Sequence, residues 1–220
     1  MSNDEDDYIP CKVVLLGESA VGKTSILTRY VEGSFSQTVM TSTGSRFVSK
    51  NIKIDENNKI RFQIWDTAGQ EKYRSLAKIF YQSAAVAILV YDITRENSFI
   101  GLKNYWSKEI KTNSPENIIL AVAANKSDDY LNQQVSHDEG KALAKELNAI
   151  FQPTSAKSGN GINELFNLIA EKFIDPSKNI SECYMSKEEI KQNKKKITIE
   201  QIRNKKIEEE KKIVVNKKCC

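Results

Sequence analysis

The stretch GESAVGKTS, residues 17–25, lies between the apolar run CKVVLL (11–16) and the segment ILTRYVEG (26–33). It has the form G-x-x-x-x-G-K-[ST] after a strand-like run and before a helix-like one, which is the setting that gives the pattern meaning. A backbone that wraps a phosphate chain must turn successive N–H groups inward, and Gly17 and Gly22 permit that path. In this reading Glu18, Ser19, Ala20, Val21 and Ser25 complete the cradle, Lys23 reaches the β and γ phosphates, and the Thr24 hydroxyl ligates Mg²⁺. The positive end of the following helix adds to the attraction.

Around this loop, short apolar runs alternate with helix-period segments. The runs lie at 12–16, 47–54, 59–65, 86–93, 118–125 and 150–155, and helices are expected over Lys23–Val31, Arg74–Gln82, Ser98–Thr112, Ser136–Leu147 and Asn163–Phe173. Ser136 and Glu139 have the spacing of a capping box. Near-continuous apolar strands separated by helices predict an α/β fold with a mostly parallel sheet covered on both faces. The runs 47–54 and 59–65 flank DENN (55–58), a hairpin-type turn, and should pair antiparallel at one edge.

Three more stretches carry chemistry, each at the end of an apolar run. In WDTAGQE (65–71), Asp66 can hold Mg²⁺ through water, Gly69 can set its N–H against a γ-phosphate, and Gln70 can orient an attacking water. In NKSD (125–128), the Asp128 carboxylate can accept from both N1–H and the 2-amino group of guanine. Adenine lacks that donor pair, and a site built on paired hydrogen bonds rejects such an analogue strongly. Asn125 and, from TSAK (154–157), Ser155, Ala156 and Lys157 complete the base pocket, and the stem of Lys126 covers the base face.

Taken together, these residues resemble the Ras superfamily of small GTPases from Cys11 to Asp175. RFQIWDTAGQE (61–71), LVYDIT (89–94) and the pair Cys219–Cys220 resemble the Rab branch more closely, leaning towards endosomal Rabs. The resemblance implies a P-loop small-GTPase fold with a six-stranded sheet and five helices. It implies GTP/GDP and Mg²⁺ as ligands, two mobile switches, and slow hydrolysis of GTP by a Gln70-oriented water. It also implies Phe35 against the guanine, and Phe47, Trp65 and Phe80 as an aromatic cluster facing effectors. The expected partners are an exchange factor, a GTPase-activating protein, a GDP-dissociation inhibitor and an escort protein for prenylation. The chain departs from the Rab pattern in its first switch, MTSTGSRF (40–47). Counting from Thr24 and anchoring on Gly44 puts Ser42 at the metal position, and a shift of one residue would put Thr43 there. KIFYQSA (78–84) replaces the usual second-switch stretch.

Composition and charge bound the rest. Residues 1–9 read as a flexible acidic N-terminus with no apolar signal core, 10–175 as the GTPase domain, and 176–220 as a flexible basic tail. From Pro176 to Cys220 there are 13 Lys and Arg against 7 Asp and Glu, leaving 20 against 22 elsewhere. A near-neutral domain argues against nucleic-acid binding, and the basic tail suits an anionic membrane. Cys11, Cys183, Cys219 and Cys220 make a poor disulfide framework. Cys219 and Cys220 resemble the Rab site for two geranylgeranyl groups, placing a monomer on the cytoplasmic face of intracellular membranes with a cytosolic pool. His137, the one histidine, reads as an exposed residue remote from every motif. A nucleotide-holding scaffold that barely cycles is the rival reading, and the intact DTAGQE speaks against it.

Overall fold

Six strands form one sheet in the order β2-β3-β1-β4-β5-β6: β1 Ile9–Leu16, β2 Arg46–Lys53, β3 Lys59–Asp66, β4 Val86–Asp92, β5 Ile119–Asn125 and β6 Ile150–Pro153. The computed structural model describes residues 8–36, 45–67 and 79–178. Only the β2–β3 pair is antiparallel, and the others are parallel, as the runs predicted. The hairpin turn is an Asx type: Asp55 Oδ1 accepts from the backbone N–H groups of Asn57 and Asn58, and Oδ2 from the Asn58 amide. β1 begins at Ile9, inside the stretch read as a flexible N-terminus.

The sheet is a two-sided core, and β1 shows why its run is continuously apolar. Its Cys11, Val13 and Leu15 face one cluster while Val14 and Leu16 face the other, all wholly buried. β4 repeats this, with Val86, Ile88 and Val90 on one side and Ala87, Leu89 and Tyr91 on the other. Side chains that alternate across a sheet covered on both faces must all be apolar.

The first face carries α1 (Lys23–Glu32) and the C-terminal helix Ile162–Ile174. They meet through Tyr30 and Phe166, whose rings stack at 3.6 Å, with Phe62 of β3 edge-on to Phe166 at 5.9 Å. The other face carries α2, which runs through Glu96–Gly101 and Ser107–Asn113, and α3 (His137–Glu146); the C-terminal helix is therefore α4. Ser136 caps α3 in a full capping box with Glu139, as the spacing predicted. The predicted Arg74–Gln82 helix falls mostly outside the described residues; 79–81 are helical.

Helix α2 starts two residues before its predicted bound and contains a π-helical stretch at Leu102–Trp106. Leu102, Trp106 and Ile110 are all wholly buried at intervals of four. At 3.6 residues per turn that spacing drifts about 40° per step, and one widened turn takes up part of the drift. His137 is half-buried rather than exposed. Its ring stands edge-on to Phe151 at 5.1 Å, and burial pushes its pKa down.

The two sheet edges differ. β2 alternates partly buried and exposed residues and carries Lys50 and Lys53, whereas β6 has only four residues and ends on Pro153.

Truncating the aromatic pivot tests the first core. Phe166→Ala should destabilise the domain by about 3–5 kcal/mol and Phe166→Leu by clearly less, read from urea midpoints at constant slope.

Candidate functional site

Every parallel strand delivers its C-terminal end to the same edge of the sheet. There the chain leaves β1 into residues 17–22, β3 into Thr67, β4 into Ile93–Arg95, β5 into Lys126–Asp128 and β6 into Thr154–Lys157. The sheet order reverses about β1, whose neighbours are β3 and β4, and an open α/β sheet forms its crevice at such a reversal. The glycine loop occupies it.

The loop closes on itself through Lys23. This buried ammonium donates to the carbonyls of Gly17 (3.0 Å) and Glu18 (2.9 Å), and burial pulls its pKa down to about 8 against the opposing charges of Asp66 and Glu18. Gly22 has φ +95° and is the N-cap of α1. A Cβ there would stand 2.3 Å from the Asn125 side-chain nitrogen, so no other residue fits without moving Asn125.

Next to the loop, Thr24 Oγ1 donates to Asp66 Oδ2 at 2.5 Å. The second oxygen, Asp66 Oδ1, is buried with no hydrogen-bond partner. Burial pushes the Asp66 carboxyl up, while the Thr24 bond and the Lys23 and Arg46 charges pull it down. A buried carboxylate oxygen left without a donor is costly, and a cation beside it would relieve the cost. Among the described residues no group of three His, Cys, Asp or Glu converges as a metal cage. Mg²⁺ needs none, because it keeps several waters and commonly takes one carboxylate, a hydroxyl and substrate phosphates. The residues present therefore fit that ion.

The NKSD segment is bound to both neighbours. Asn125 donates from its side-chain amide to the Val21 carbonyl (2.8 Å) and accepts from Thr154 Oγ1 (3.3 Å). Ser155 Oγ donates to Asp128 Oδ1 (2.5 Å), and Lys157 Nζ lies 3.8 Å from Asp128 Oδ2. Ser127 N–H reaches the Thr154 carbonyl, and Lys126 turns the chain in the left-handed region at φ +64°.

Sequence reasoning passed over Arg29. Its guanidinium donates to the carbonyls of Ala156 (2.8 Å), Lys157 (2.7 Å) and Gly33 (2.6 Å), and lies 6.0 Å from the Phe35 ring. One side chain thus holds the TSAK loop, the end of α1 and the approach to Phe35. No motif announces it, since an arginine six residues after the loop lysine looks like any helix-surface cation.

The structure also gathers the aromatic residues. Phe47 lies 4.9 Å from Trp65, and Trp65 lies 5.2 Å from Phe80, with Phe47 exposed and the other two half-buried. Ser42, Thr43, Gly69, Gln70, Cys183, Cys219 and Cys220 lie outside the described residues, as does the mostly acidic stretch 2–7. No helix among the described residues is long and apolar enough to cross a membrane.

Comparison with known proteins agrees with this geometry. The model of the Ras family matches residues 12–175. The Ras-related protein RabJ of Dictyostelium discoideum is 45% identical over 163 residues, covering 74% of this chain and 63% of that protein, so less than two thirds of its length. The Ras-related protein Rab-22A of Homo sapiens is 43% identical over 169 residues, covering 77% of this chain and 86% of that protein.

Two glycines separate backbone strain from crowding. Gly22→Ala should cost about 1–3 kcal/mol of backbone strain plus the displaced Asn125 bond, whereas Gly33→Ala, at φ +69° with open space around its Cβ, costs strain alone. Thermal unfolding of the two variants should show the larger fall in Tm for Gly22→Ala.

Proposed function

This chain belongs to the Ras family and is a small GTPase of the Rab type, and on that premise we propose that it alternates between GDP- and GTP-bound forms to direct vesicle traffic at intracellular membranes. Ras-family membership carries guanine-nucleotide binding and GTP hydrolysis. The observation that carries the assignment of residues is the Asn125–Val21 bond, which locks the base segment to the phosphate loop.

In this reading the backbone of Gly17–Val21 and Gly22, with Lys23, Thr24 and Ser25, receives the phosphates. Asp128 reads the guanine edge, Ser155 orients Asp128, and Asn125, Ala156 and Lys157 frame the base. The stem of Lys126 and the ring of Phe35 cover its faces. Thr24 directly and Asp66 through water would hold Mg²⁺, which neutralises charge on the phosphates when bound. Ser42 would complete that set from the first switch. Gly69 presents its N–H to the γ-phosphate, and Gln70 orients the water that attacks in line. An arginine supplied by an activating protein would accelerate that step by roughly 10³–10⁵.

The signal is the ordering of the switches by GTP. Effectors would read it on Phe47, Trp65 and Phe80, where a half-exposed aromatic face supports a protein contact. An exchange factor, an activating protein, a GDP-dissociation inhibitor and an escort protein complete the cycle. The domain would run over 10–175 and the basic tail over 176–220, with prenyl groups on Cys219 and Cys220 anchoring it to the cytoplasmic face. The endosomal leaning of the sequence makes that membrane the first to examine.

Two measurements test this. Chelating Mg²⁺ should weaken GTP binding by about tenfold or more, the worth of a lost charge-assisted contact. Ser42→Ala should remove much of that gain for GTP and little for GDP; an unchanged Mg²⁺ effect would assign the ligand elsewhere. Asp128→Asn should weaken GDP by roughly a hundredfold or more. It should gain xanthosine diphosphate, whose 2-oxo group accepts from the new amide, and retained guanine preference would remove Asp128 from base recognition.

A further inference from the structure

Asp92 is the fourth residue of LVYDIT (89–94), and no role in the proposed site falls to it. Asp92 closes β4 and is wholly buried. Its Oδ1 accepts from the Thr94 N–H (3.0 Å) and the Thr94 hydroxyl (2.7 Å). Its Oδ2 accepts from Arg95 Nε (3.0 Å) and lies 2.5 Å from Lys126 Nζ. Both cationic side chains are about two-fifths exposed, at 44% and 41%, yet they converge on one enclosed oxygen.

The two cations lead to opposite ends of the crevice. Arg95 continues through Nη2 to the Ser19 carbonyl of the glycine loop (2.9 Å). Lys126 is the second residue of NKSD, two before Asp128, and holds its left-handed turn with Asp129 N–H bonded to its carbonyl. Ser98 Oγ donates to the Arg95 carbonyl and accepts from the Asp92 N–H, which fixes the short loop that carries the carboxylate.

We propose that Asp92 is a positioning residue that joins the base-covering Lys126 to the phosphate loop at Ser19 by way of Arg95, so that the grip on the two ends of the nucleotide is shared. This rests on the assignment of Lys126 and the glycine loop to the nucleotide under Proposed function. The physical reason is charge. A wholly buried carboxylate is tolerable only when its lone pairs are filled, and here two partly exposed cations fill one oxygen. Neutralising it leaves Arg95 and Lys126 as neighbouring like charges with no common anchor, so both the base lid and the Ser19 turn loosen together. Buried charge-assisted bonds are the strong ones, and their loss is felt at both ends.

The experiment loads the full chain with GDP carrying a fluorescent N-methylanthraniloyl group and follows its release in Mg²⁺ against excess GDP. Asp92→Asn keeps the shape and removes the charge, and it should release the nucleotide roughly ten- to a hundredfold faster. Arg95→Ala and Lys126→Ala should each accelerate release severalfold, by about a tenfold at most. The double variant should be slower than the product of the two single effects, because they share one anchor. Release from Asp92→Asn at the wild-type rate, well below its Tm, would make Asp92 merely structural and overturn the inference. Should Asp92→Asn fail to fold, the Arg95–Lys126 cycle decides alone, and strictly multiplying effects overturn the coupling. A wild-type chain that takes up no fluorescent GDP would instead overturn the functional reading itself.

Discussion

The side-chain amide of Asn125 donates to the carbonyl of Val21 across 104 residues of chain, and most of the site geometry follows from that bond. It is buried, so its loss would strand both a donor and a carbonyl in a medium without water. The bond places the end of β5 against the glycine loop at the one point where Gly22 has no side chain to obstruct it. Thr154 then fixes the other side of the same amide, and Ser155 fixes Asp128. The NKSD segment and the glycine loop are therefore held together as one unit.

Charge is handled differently at the two ends of this unit. At the glycine loop Lys23 is buried with two of its three ammonium donors on backbone carbonyls, and Asp66 keeps one oxygen without a donor. Around NKSD two carboxylates have cationic counterparts: Asp128 faces Lys157, and Asp92 faces Arg95 and Lys126. The buried carboxylate oxygen without a donor thus lies beside the glycine loop, and the ion-paired carboxylates lie around NKSD.

Most of the fold was legible in the sequence because a doubly covered parallel sheet leaves a plain mark. β1 and β4 bury residues on both faces, so their runs are unbroken, and the antiparallel hairpin was marked by its Asp and Asn turn. The Ser136–Glu139 box was readable for the same reason, being a local exchange of two hydrogen bonds. What could not be read were contacts set by tertiary distance. Arg29 and Arg95 look like ordinary surface cations until the fold brings Ala156 and Ser19 within reach. The widened turn of α2 arises from three buried positions that share one face, and no residue type signals it. His137 was misread as exposed because its neighbours in sequence are polar, whereas its neighbour in space is Phe151.

The two ends of the sheet bear on how this protein behaves in a crowd. A sheet rim with open N–H and C=O groups is a template on which another chain can grow. β2 places Lys50 and Lys53 along its rim, and Lys50 spends itself on the Tyr30 carbonyl and ring, so an incoming strand would meet fixed positive charge. β6 offers only four residues, the last a proline with no N–H to give. Among the described residues no further strand pairs with either rim, yet both are poor seeds for cross-strand growth. Rims of this kind let a domain be concentrated without polymerising.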